Sequence, residues 1–82
     1  MPRVHAVLYS RPGCHLCDDA RAVIEAQRFR TPFDLDEIDI ETDDELVKEY
    51  GIRIPVVLID GVERFEISVD PGELARLLSE RL

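Results

Sequence analysis

The chain has no tryptophan, one methionine, four glycines and two cysteines among its 82 residues. Cys14 and Cys17 would close too small a loop to staple a fold, which excludes a disulfide framework of the secreted kind. One Cys-x-x-Cys supplies two metal ligands where zinc takes four; His15 or His5 could add a third, and no second pair exists. No stretch approaches the ~20 apolar residues of a transmembrane helix. Met1-Pro2-Arg3 opens onto an apolar run broken by His5 and shorter than the ~7–15 residues of a signal-peptide core. A cytoplasmic protein without a membrane partner is therefore expected. An excess of positive charge is also missing: the net charge is −8, which argues against nucleic acid as a partner. There are no repeats, linkers or low-complexity segments, and the length fits one domain over residues 1–82.

The negative charge is unevenly placed. Residues 31–60 carry ten acidic and two basic residues, whereas residues 1–30 carry three acidic and five basic. Such a segment keeps a protein soluble; its functional reading is a docking face for a basic partner protein.

Arg3 to Ser10 reads as a first strand with apolar residues on both faces, hence covered on both sides. Arg11-Pro12-Gly13 is a turn. A helix follows from Cys14 to Arg28, with Leu16, Ala20, Val23, Ile24 and Gln27 on one face. The second strand lies within Phe33–Ile40. Its alternation slips phase, which fits either a bulge or two partly buried faces. Thr42-Asp43-Asp44-Glu45 has the form of a capping box for a short helix to Tyr50, and Gly51 is expected to end it in the left-handed conformation. Val56–Ile59 is a continuous apolar run, the mark of a central strand, with Pro55 at its start. Asp60-Gly61 is a hairpin turn into a strand over Val62–Ile67. Asp70 and Pro71 start a last helix whose core stripe is Leu74, Leu77, Leu78 and Leu82. The order is β-α-β-α-β-β-α: an α/β fold with a four-stranded mixed sheet and three helices.

Gly13-Cys14-His15-Leu16-Cys17 falls where the first strand passes into the first helix. Cys14 there faces unpaired backbone N–H groups and the positive end of the helix dipole, which favour the reactive thiolate. Cys17, one turn on, lies on the same face and can close a disulfide. His15, if cationic, would add to the stabilisation of the thiolate; the alternative is a solvated first-turn residue. His5 reads as structural, Tyr9 as core or rim, and Asp18 and Asp19 as helix-stabilising.

With that order and motif, the chain resembles the thioredoxin fold in its small, glutaredoxin-like form. Cys14-His15-Leu16-Cys17 after the first strand, Ile54-Pro55 before the central strand and Asp60-Gly61 in the hairpin carry the resemblance. It implies a thiol–disulfide oxidoreductase with Cys14 as nucleophile and Cys17 as resolving thiol. It implies a cis peptide bond before Pro55, pairing of an extended substrate with the backbone of Ile54, and contact of Arg11 with a glutathione carboxylate. His15 joins the substrate-binding set as the neighbour of the nucleophile. No metal or organic cofactor is expected. Glutathione or a thioredoxin-reductase-type protein would supply electrons, the substrate would be a disulfide in a protein or small molecule, and the protein would be a monomer. The chain departs from glutaredoxins in carrying Arg53 where a threonine is usual and Ile67-Ser68-Val69-Asp70 where a Gly-Gly segment is usual. Glutathione binding is therefore expected to be weak. Two rival readings are a protein-binding module with an idle Cys-x-x-Cys, separated by reduction of a small disulfide, and a metal carrier, separated by metal content.

Overall fold

The computed structural model describes residues 3–81. The elements are β1 (His5–Ser10), α1 (His15–Arg30), β2 (Asp34–Asp39), a 3-10 turn (Ile40–Thr42), α2 (Asp44–Tyr50), β3 (Val56–Ile59), β4 (Val62–Glu66) and α3 (Pro71–Arg81). The strands lie in the order β2-β1-β3-β4, with β1 and β2 parallel and the β1–β3 and β3–β4 pairs antiparallel. This is the expected four-stranded mixed sheet with three helices. Among the described residues no helix is long and apolar enough to cross a membrane.

Period-two alternation divides the interior into two clusters. Ala6 and Leu8 of β1, Val57 and Ile59 of β3 and Phe65 of β4 meet Ala20 and Ile24 of α1 and Leu74, Leu77 and Leu78 of α3 in the larger one. Leu82 lies outside the described residues. The smaller cluster is Cys17, Ile40 and Ile54, with Tyr9, Cys14, Leu46, Val47 and Tyr50 against it. Thus α1 and α3 cover one face of the sheet, and α2 reaches the other only near the Cys17 end. The second face of β1 is accordingly not closed: His5 is exposed, and Val7 and Tyr9 are half-buried.

Several local expectations are corrected. Leu16 does not belong to the buried face of α1: it is 48% exposed, and Cys17 takes the inward position with Ala20 and Ile24. Of the two readings of the phase slip in β2 the bulge fails, because the β1–β2 ladder runs without a register shift from His5↔Asp34 to Ser10↔Asp39, and the other holds, Leu35 and Ile38 being half-buried on opposite faces. Phe33 and Ile40 instead flank the strand and anchor it in different clusters. Thr42 does not cap α2. Its hydroxyl donates to the Asp39 carbonyl at 2.7 Å, and Asp43 caps the helix by accepting from the Glu45 N–H at 2.9 Å. Gly51 is right-handed at φ −52°, so it is required for another reason: a Cβ there would lie 2.5 Å from the Val47 carbonyl oxygen.

The hairpin turn has φ of 50° at Asp60 and 83° at Gly61, the two positive values its tight form needs. Arg64 is the extra residue of a bulge, since Val57 pairs with Phe65 and Leu58 with Glu63. Asp70 caps α3 as expected, accepting from the Glu73 N–H at 2.9 Å. The fourth strand stops at Glu66 rather than Ile67, because Ile67 turns to φ +71° and the Ser68 N–H closes onto the Glu66 carbonyl at 2.8 Å.

Candidate functional site

Gly13, at φ +75°, lets the turn after β1 deliver Cys14 to the start of α1. Cys14 is the N-cap residue, with extended backbone, and its Sγ accepts from the Cys17 N–H at 3.1 Å. One of the unpaired N–H groups of the first turn thus points at this sulfur. The sulfurs of Cys14 and Cys17 are at disulfide distance, with Cα atoms 5.2 Å apart. Their environments differ sharply. Cys17 is fully buried among Ile40 and Ile54, while Cys14 is half-buried at the rim. Only Cys14 offers a sulfur to a molecule arriving from solvent.

The wall facing the pair is the loop before β3. The Ile54–Pro55 peptide bond is cis, both side chains are buried, and Ile54 packs in the Cys17 cluster. The carbonyls of Arg53 and Pro55 accept from the Ile67 N–H at 3.2 and 2.9 Å. The backbone of Ile54 between them makes no hydrogen bond among the described residues. That leaves the pairing groups an extended strand would need.

Two other expected residues take different surroundings. Arg11 lies beside the motif, but its guanidinium is turned onto Glu41, with Nε and Nη2 at 3.1 and 3.0 Å from Oε2. A carboxylate ligand there would have to displace Glu41. His15 is exposed on the first residue of α1. Among the described residues no cluster of three or more His, Cys, Asp or Glu is arranged to hold a metal ion. His5 is on the surface, its Nε2 2.7 Å from an Asp36 carboxylate oxygen.

Sequence reasoning missed three features. Tyr50, at the end of α2, stacks on Tyr9 with ring centroids 4.4 Å apart, and both rings flank the Cys17 cluster. Burial, followed by the neighbouring Tyr9, pushes the Tyr50 hydroxyl pKa up. Arg53 lies over the Tyr50 ring at 5.2 Å and bonds to Glu63 and Glu66 of β4 and to the Glu49 carbonyl of α2. It ties both elements to the cis-proline loop, and its place beside Ile54-Pro55 was the signal that could have found it. On the other side of the motif Arg21 joins Asp18 of its own helix to Glu37 of β2, and Ser10 donates to Glu37 at 2.8 Å. These residues line a cleft of about 200 Å³ beside Arg11-Pro12-Gly13. The Arg21 guanidinium holds the Glu37 carboxyl below the usual range, helped by the Ser10 hydroxyl and opposed by burial.

A dithiol at the strand–helix corner, opposite a cis-proline loop, on a four-stranded mixed sheet defines a glutaredoxin-like protein of the thioredoxin superfamily. The sequence model of the Glutaredoxin-like domain (DUF836) family matches residues 5–79, and the chain belongs to that family. Its structure is similar to protein Ne2328 from Nitrosomonas europaea, at 26% identity and a TM-score of 0.81 over 95% of this chain and 94% of that one. It is similar to protein XcR50 from X. campestris, at 28% identity and a TM-score of 0.73 over 92% and 96% of the two chains. A mutant thioredoxin from Halobacterium salinarum shares the fold, at 23% identity and a TM-score of 0.70 over 96% of this chain and 74% of that one. Among curated protein sequences none matches significantly.

Proposed function

We propose that the protein is a thiol–disulfide oxidoreductase in which Cys14 is the nucleophile and Cys17 the resolving thiol. The observation that carries this reading is the asymmetry of the pair: Cys14 reaches the surface as an N-cap beside the cis-proline loop, while Cys17 is sealed behind it. The Cys14 thiolate attacks one sulfur of a substrate disulfide, forming a mixed disulfide and expelling the other sulfur as thiolate. Cys17 then attacks the Cys14 sulfur and passes its proton to the departing sulfur, releasing the second substrate thiol and closing the Cys14–Cys17 bond. Two electrons from a dithiol or two glutathione molecules restore the reduced protein. The chemistry needs no metal or organic cofactor. Ile54 offers its backbone to the extended substrate, and Pro55, whose ring is buried, supports that loop from within. Arg11 is engaged by Glu41 and gives a glutathione carboxylate a weak hold, so glutathione serves as an electron donor at most. The setting is a reducing compartment, the cytoplasm, and the working unit is the monomer.

The test is reduction of bis(2-hydroxyethyl) disulfide and of insulin by the wild type, Cys14→Ser and Cys17→Ser proteins. Cys14→Ser should be inactive, and Cys17→Ser should accumulate a mixed disulfide detectable by mass spectrometry. A wild-type protein that reduces neither disulfide, or a Cys14→Ser variant that retains activity, would refute the reading.

A further inference from the structure

Two surfaces lie near the half-buried Cys14, and they differ in kind. On one side Leu16 and Ile67 are 48% and 42% exposed and, with Val23 and Val69, line a small apolar cleft of about 90 Å³. Asp19 stands at its edge. Neither cysteine lines the cleft; it is tied to the thiol pair by Leu16, which directly precedes Cys17, and by Ile67, whose N–H donates to the Pro55 carbonyl. Ile67 holds φ +71°, a region that glycine enters freely and a β-branched residue enters at a cost. Burial returns little of that cost, since so much of the side chain faces solvent.

On the other side residues 39–55 carry Asp39, Glu41, Asp43, Asp44, Glu45 and Glu49 against Lys48 and Arg53. The last five of those acids are exposed, on or beside the helix that packs Leu46, Val47 and Tyr50 against the Cys17 cluster. The arginines flanking the thiols add no positive field of their own. Arg11 is bonded to Glu41, and Arg53 is ringed by Glu49, Glu63 and Glu66. An incoming disulfide therefore meets an apolar seat and a negative rim.

We propose that the disulfide on which this site acts lies in a basic polypeptide segment carrying an apolar residue next to its half-cystine, and that anionic disulfides are rejected. The apolar side chain sits between Leu16 and Ile67, and the flanking lysines or arginines face Asp19 and the carboxylates of α2. The inference rests on the thiol-exchange reading above and adds the chemistry of the substrate. Electrons balance as in that reading: the substrate disulfide becomes two thiols, and the Cys14/Cys17 dithiol becomes a disulfide.

The experiment measures second-order rate constants of the reduced full-length protein with disulfide-linked peptides. One set carries lysine and the other glutamate around a Leu-Cys pair; a third carries lysine around Ala-Cys. Bis(2-hydroxyethyl) disulfide is the neutral probe, and each rate is divided by that of dithiothreitol with the same disulfide to remove intrinsic reactivity. The lysine peptide should react at least about tenfold faster than the glutamate peptide at 0.01 M salt. The ratio should fall towards one at 1 M salt, as the screening length shrinks from about 30 Å to about 3 Å. The double substitution Asp44→Asn/Glu45→Gln should lower the low-salt ratio. Ile67→Gly, whose backbone suits the position, should remove the preference for Leu-Cys over Ala-Cys. Equal rates for lysine and glutamate peptides at low salt, or a Leu/Ala preference that survives in Ile67→Gly, would overturn the proposal while leaving thiol exchange intact. Failure with every disulfide, the neutral probe included, would overturn the exchange reading and this one with it.

Discussion

The two thiols should titrate far apart in the reduced protein, and the replacement Cys17→Ser isolates the lower value. The backbone N–H of residue 17, 3.1 Å from the Cys14 sulfur, survives that replacement, so the donor stays in place. A hydrogen bond to a charged group contributes about 1.5–3 kcal/mol. The helix N-terminus adds about 0.3–1 kcal/mol for a negative charge at its first turn. Sulfur is a weak acceptor and Cys14 is half-exposed, so the lower ends apply. The sum, about 2 kcal/mol in favour of the thiolate, brings Cys14 below the ~8.5 of a free cysteine. Asp18 and Asp19 oppose the shift, but Asp18 is bonded to the Arg21 guanidinium at 2.8 Å, which removes most of its repulsion. Cys17 is buried among Ile40 and Ile54, where desolvation favours the neutral thiol, so in Cys14→Ser it should titrate at or above ~8.5. Alkylation by iodoacetamide as a function of pH, or thiolate absorbance near 240 nm, reads both values. A Cys17 that titrates below Cys14, or reacts faster at pH 7, would refute the reasoning from cap geometry and burial.

Ile24 is fully buried between α1 and the sheet, and Ile24→Ala should cost about 2–5 kcal/mol, seen as a lower urea midpoint. Asp70→Ala removes the α3 cap and should cost about 0.5–2 kcal/mol in the same assay. Arg21→Gln should destabilise by about 0.2–1 kcal/mol at pH 7, as expected of a solvent-accessible ion pair. The sign of its pH dependence follows from Glu37, whose folded pKa is depressed. The stabilisation is present above the unfolded carboxyl value and is lost as pH falls through the depressed folded value. Urea midpoints of wild type and Arg21→Gln should therefore converge towards pH 3; a gap that stays constant from pH 7 to pH 3 would assign the effect to packing.

The fold is legible because its signals are strong and local: a continuous apolar run at Val56–Ile59, a two-residue turn at Asp60-Gly61 and an Asp-Pro helix start at Asp70-Pro71. The cysteine pair and Ile54-Pro55 are legible as motifs, and the resemblance supplies the cis bond. What escapes depends on contacts between distant segments. Arg53 and Tyr50 acquire their role from Glu63, Glu66 and Tyr9, none of them near in sequence. The capping-box pattern places the α2 cap one residue early, because the Asp39 carbonyl draws the side chain of Thr42 into the preceding turn. Gly51 follows a different device from the one its position suggests: close approach to Val47, not a positive φ, requires it.

The misreading of Leu16 bears on function more than the others. A helix turns about 100° per residue, so Leu16 and Cys17 cannot share a face. Hydropathy alone favours Leu16 inward, in line with Ala20 and Val23. The chain instead turns Cys17 inward with Ala20 and Ile24. Burying Cys17 and exposing a leucine beside it are one choice of helical phase. The leucine then stands next to Ile67, whose own exposure goes with the positive φ that turns the chain away from the end of β4. Under the proposed reading, chemistry and recognition at this site are coupled through the rotation of α1: a change that turned Leu16 into the core would swing Cys17 away from Ile40 and Ile54, and the proposed resolving thiol would lose its shelter as the apolar cleft disappeared.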